Sequence, residues 1–279
     1  MLRTFDHTGF YETRLILLVI GLAVAGYFFY YKRDRRFLIL FASGALFQTV
    51  MEYALQTQGQ RGADYHVMIF GTRLPAFIAP LFQGVTEGGI FAVFAFWFAD
   101  LRMARPKMKE RWPFYALCAV VLGLSVVAGV AARNQAVTSV RPMSNSVSIL
   151  LVSAIIFISL AIAWQKDDLS TLANFYGGLL LFSFLTYEPL HILGARYIAA
   201  DVGGQAVQAS FPAQILMMFL SHVFESAGGK LHYFMLPFLL GWVRLRERND
   251  GKGRERYSTQ HLQDLATRGW RKKSKFTRE

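Results

Sequence analysis

The chain has 279 residues, of which 54% are hydrophobic, 15% aromatic and only 17% charged, with a formal net charge of +12. Soluble domains carry about 25% charged residues, so this composition excludes an ordinary water-soluble fold. A single cysteine, Cys118, excludes a disulfide framework and any cysteine-based zinc or iron–sulfur site. The positive charge does not describe a nucleic-acid binder, because it collects at the ends of apolar runs.

A hydrocarbon core about 30 Å thick takes roughly 20 apolar residues in a helix that rises about 1.5 Å per residue. Seven runs meet that length in chain order: Leu15–Tyr31, Phe37–Leu55, Ala76–Leu101, Trp112–Ala132, Val147–Trp164, Leu172–Ile192 and a long last one, Phe211–Val243. The first lacks a small-residue cleavage site and ends in Tyr30-Tyr31-Lys32-Arg33, so it reads as a retained span. The last would make a helix of about 50 Å, more than one untilted crossing needs. Gly228-Gly229 interrupts it, which predicts a break, a tilt or an interfacial segment before a single crossing.

The fold class is therefore all-α: a polytopic integral membrane bundle of about seven transmembrane helices over residues 1–246, followed by a basic tail over 247–279. Basic loops stay on the cytoplasmic side. Lys32, Arg33, Arg35 and Arg36 follow the first span, Arg102 to Arg111 the third, Lys166 the fifth and Arg244 onward the last. That bias predicts an N-terminus outside and a C-terminus inside the cell membrane. Trp97, Trp112, Trp164 and Trp242 fall at the predicted cytoplasmic ends, as an interfacial belt requires. Asp100 and Glu110 sit there beside basic residues and need no special account. Membrane lipid is the surrounding partner, and Arg271-Lys272-Lys273-Ser274-Lys275 in the tail would attract anionic lipid.

An ionisable group inside a span marks a functional site by default. The second span places Gln48, Glu52 and Gln56 one turn apart on one face. The third has Gln83 and Glu87 beside Gly84 and Gly88, whose small-xxx-small spacing lets another helix approach closely. The sixth has Glu188-Pro189-Leu190-His191 and the seventh His222-Val223-Phe224-Glu225. Counted from the cytoplasmic ends, Glu52, Glu87, Glu188 and Glu225 all lie roughly 22 to 30 Å up. Carboxylates at one level need a common counter-charge, from protons, Lys230 or metal ions.

Glu52, Glu87, Glu188, His191, His222 and Glu225 give four carboxylates and two imidazoles on four helices, the ligand count of carboxylate-bridged di-metal centres in helix bundles. On that count the leading expectation is an intramembrane metalloenzyme. It would hold iron or another divalent metal and oxidise, desaturate or hydroxylate a lipophilic isoprenoid, sterol or lipid. A metal-free acid–base cyclase or isomerase of such a substrate is the alternative, with the four glutamates as catalytic groups and no cofactor. A proton- or cation-coupled transporter is the third reading, though the ionisable groups stop at one depth and no inverted repeat is visible. A lysine in the last of seven spans invites comparison with retinal proteins. The tryptophans lie at the rim, however, and Lys230 follows a Gly-Gly pair, so the residue is expected to pair with a glutamate.

Overall fold

The computed structural model describes residues 2–5, 9–57, 67–132, 139–142, 146–202 and 205–246; the basic tail 247–279 and His66 lie outside them. Among the described residues six helices are long and apolar enough to cross a bilayer. They are α1 (Phe10–Tyr30), α2 (Arg36–Thr57), the continuous passage Ala79–Ala104, α5 (Met108–Ala132), α6 (Ser146–Gln165) and α7 (Leu169–Ile192). The third passage comprises α3 (Ala79–Gln83), a π-helical turn (Gly84–Gly88) and α4 (Gly89–Ala104). The seventh runs through α8 (Phe211–Leu220), a π-helical segment (Ser221–Ala227), a 3₁₀ turn (Gly228–Lys230) and α9 (His232–Leu239). Its residues at the joins, Ser221, Gly228 and Leu231, keep right-handed helical dihedrals. The Gly-Gly pair thus marks a change of helical pitch, and the chain does not turn back there.

A buried ionic lock gathers one end of the bundle. Arg36 bonds Asp34 at 2.6 Å and Asp100 at 3.1 Å, and it donates to the Arg244 carbonyl at 2.7 Å. Arg246 closes on the other Asp100 oxygen at 2.6 Å. Asp100 has no exposed surface, so it is a hub joining α2, α4 and the segment after α9, contrary to its reading as an ordinary interfacial acid. The opposite end carries an addition to the helical bundle that apolar runs do not reveal. Strands β1 (Leu2–Phe5), β4 (Ser139–Pro142), β5 (Arg196–Val202) and β6 (Gln205–Gln208) form an antiparallel sheet in the order β4-β1-β5-β6. It ties together the segments before α1, after α5 and after α7. A small hairpin, β2 (Met68–Ile69) with β3 (Thr72–Arg73), docks at the same end, where the Phe70 amide donates to Glu12 at 2.7 Å. Since β6 lies at the sheet end and Arg244–Arg246 at the Asp100 end, residues between them make the seventh passage.

The third passage is the central one: 78% of its apolar window is buried, against 44% or less for the other five spans. Ile90 through Phe96 have no exposed surface, whereas Leu150, Phe157 and Ile158 on α6 stand more than half exposed on the outside. Apolar side chains facing outward in this number are what a lipid solvent allows. Trp112, Trp164 and Trp242 are exposed as an interfacial belt needs, but Trp97 is buried against Phe28 and Phe114. This fold is that of a multi-pass membrane helical bundle.

Candidate functional site

The first helix begins at Phe10, a turn earlier than its apolar run, and this brings Arg14 inside. Arg14 is 2% exposed, with its guanidinium 4.6 Å from the Phe10 ring centroid and 5.1 Å from that of Tyr187. The aromatic faces account for the cation's placement in an apolar layer. Its Nε lies 3.9 Å from Glu87, while Nη1 is buried without a hydrogen-bond partner among the described residues. Sequence reading missed Arg14 because it stands outside the hydrophobic run; Glu12 and Thr13 before it disguise the start of the helix.

Glu87 sits on the π-helical turn, buried at 7% exposure. An extra residue per turn re-aims side chains, and such turns recur at functional sites. The turn packs tightly on α2: a Cβ added at Gly88 would collide with the Gly44 carbonyl, and one at Gly84 with Thr49. The close approach expected from the small-residue spacing is present, with Gly44 as its partner. Glu52 on α2 faces the same interior at 3% exposure. Gln48, one turn earlier, donates to it at 2.8 Å, and the Tyr233 hydroxyl of α9 donates to the Gln48 side-chain oxygen. Gln56 leaves this group and bonds the Ala76 carbonyl at 3.1 Å.

Lys230 lies within electrostatic reach of Glu87, Glu52 and Glu225, and of Arg14. It is 9% exposed and its ammonium stands 4.5 Å from the Phe91 ring centroid. The glutamates with which it was expected to pair act on it electrostatically, and its ammonium, on the 3₁₀ turn Gly228–Lys230, faces the aromatic ring. Two basic side chains, Arg14 and Lys230, thus stand among three of the four carboxylates.

The fourth carboxylate belongs to a neighbouring group. Glu188 contacts His222 Nε2 at 3.2 Å, and His222 Nδ1 is 2.7 Å from the Ser183 hydroxyl. Ser183 is fully buried and His222 is 2% exposed, whereas the Glu188 side chain is 32% exposed. This hydroxyl–imidazole–carboxylate chain joins α7 to the second π-helical segment. Ser183 escaped the sequence because residues five apart do not share a helix face; it meets Glu188 only through a histidine from another passage. The (i, i+3) spacing turns Glu188 and His191, and likewise His222 and Glu225, toward one side of a helix. Instead Glu188 pairs with His222 across the helices, His191 lies with its ring centroid 6.4 Å from that of His222, and Glu225 accepts from Ser221 at 3.4 Å. Among the described residues no group of three or more His, Cys, Asp and Glu side chains is placed to hold a metal ion.

Fold and site together define a multi-pass helical membrane protein with an interior ionic cluster. Comparison with protein-family models, with curated proteins and with solved structures gave no match.

Proposed function

We propose that the protein is a membrane-embedded acid–base enzyme, a cyclase or isomerase of a lipophilic isoprenoid or sterol. Its N-terminus would lie outside the plasma membrane and its Asp100 end at the cytoplasmic face, where the basic loops collect. The supporting observation is that Arg14 and Lys230 stand where a metal would otherwise have to neutralise Glu52 and Glu87. Glu52, in its protonated form, gives its proton to an alkene or epoxide; the π bond or one C–O bond breaks as a C–H or O–H bond and a carbocation form, while Glu87 stays ionised beside Arg14. The remaining carboxylate and the rings of Phe91, Tyr187 and Tyr233 stabilise the cation. Loss of a neighbouring C–H proton to the Ser183–His222–Glu188 chain restores a double bond. Nothing is oxidised, so the product is an isomer of the substrate.

Membranes containing the protein, incubated in D₂O with the lipid extract of its native cells, test this reading by mass spectrometry. The expected product matches its precursor in composition, apart from solvent deuterium, and is lost in Glu52→Gln and Glu87→Gln. A product heavier by one oxygen or lighter by two hydrogens, with stoichiometric metal in the purified protein, would instead establish the metalloenzyme on Glu52, Glu87, Glu188, His191, His222 and Glu225.

A further inference from the structure

We infer that Gln48, held in place by Tyr233, commits one oxygen of Glu52 as a permanent acceptor, so that Glu52 carries and releases its proton at Oε2. Gln48 Nε2 donates to Glu52 Oε1 at 2.8 Å. The amide is oriented for this from its other side, because the Tyr233 hydroxyl donates to Gln48 Oε1 and so turns Nε2 toward the carboxyl. Tyr233 has no exposed surface, and its backbone carbonyl accepts from the Ser43 hydroxyl of α2 at 2.7 Å. One tyrosine of α9 thus meets α2 twice, through its main chain and through its hydroxyl. The stem of Gln48 is fixed as well: a Cβ added at Gly88, next to Glu87, would come within 2.6 Å of Gln48 Cβ. Gln56, one turn beyond Glu52, bonds the Ala76 carbonyl instead, so Gln48 is the glutamine that serves this acid.

An amide N–H prefers the carbonyl oxygen of a carboxylic acid, which is a better acceptor than the hydroxyl oxygen. Oε1 is then the C=O of the acid and Oε2 its O–H. A flipped amide would set Gln48 Oε1 against Glu52 Oε1 and Nε2 against the Tyr233 hydroxyl, whose buried proton would need another acceptor. When the proton leaves Oε2, its bonding pair stays on the carboxylate, and the bond from Gln48 becomes charge-assisted, roughly twice as strong. The interaction therefore grows as the proton is transferred, which is how a group lowers a barrier. Gln48 is a positioning residue, and Tyr233 positions it in turn. That role in transfer rests on the acid–base reading; the proton's place on Oε2 does not.

The full chain in detergent, without substrate, is taken from alkaline to acidic buffer and followed by infrared difference spectroscopy. The Glu52 acid C=O band is the one lost in Glu52→Gln. The expected result is a shift of that band to higher wavenumber in Gln48→Leu, where the carbonyl oxygen loses its donor, and a smaller shift in the same direction in Tyr233→Phe. Tyr176, whose hydroxyl donates to the Val223 carbonyl at 3.1 Å, is the control: Tyr176→Phe should leave the band in place. If Gln48→Leu does not fold, Tyr233→Phe, which removes a single oxygen, decides by itself. A band that stays in place or falls in either variant would overturn the inference. The D₂O assay of the proposed reaction reads product and not this band, so the two can fail separately.

Discussion

Arg14 Nε of α1 lies 3.9 Å from Glu87 Oε1 on the π-helical turn, and both side chains are at least nine-tenths buried. Removing one partner of a buried pair strands the other charge, at about 3–5 kcal/mol. Glu87→Gln alone should fall near the lower end of that range, about 3 kcal/mol, because the contact is long. The double variant Arg14→Met with Glu87→Leu should lose less than Glu87→Gln does. Equilibrium unfolding of the purified variants gives the answer, and a double variant that loses more than Glu87→Gln would show that the two charges do not act on each other.

Asp100 has no exposed surface and receives both Arg36 and Arg246. Asp100→Asn should cost about 3–5 kcal/mol, since Arg36 then keeps only Asp34 as a carboxylate partner in a buried position. Surface acids such as Glu110 provide the control: Glu110→Gln should change the unfolding midpoint little. Equal effects from the two substitutions would remove the proposed hub.

Gly88 faces the Gly44 carbonyl so closely that no Cβ fits, whereas Gly26 on α1 has nothing within 4 Å of its added Cβ. Gly88→Ala should destabilise by about 1–3 kcal/mol through overpacking. Gly26→Ala should be neutral or stabilise by up to about 1 kcal/mol through helix propensity. Thermal unfolding in detergent separates them, and a tolerated Gly88→Ala would mean that α2 and the π-helical turn can part without cost.

Much of the architecture was legible in the residues themselves. A bilayer demands about 20 apolar residues per helix, so the spans declare themselves by length. The four-residue spacing of Gln48 and Glu52 predicts a bond that forms at 2.8 Å, because one helical turn fixes both side chains on a face. The Gly84 and Gly88 spacing likewise announces a close neighbour, since it is a property of the local surface. These features depend only on helix geometry and on solvent.

Tertiary structure alone decided which charges meet. Arg14 lies outside its apolar run, Ser183 reaches Glu188 through a histidine of another passage, and Asp100 finds Arg246 across 146 positions. The four strands pair segments from opposite parts of the chain. The π-helical turns at Glu87 and His222 depend on how neighbouring helices crowd them. Apolar patterning fixes how many times the chain crosses the membrane, because burial in lipid is non-directional. Ion pairs and hydrogen bonds are directional and short-ranged, so their partners exist only once the helices have packed.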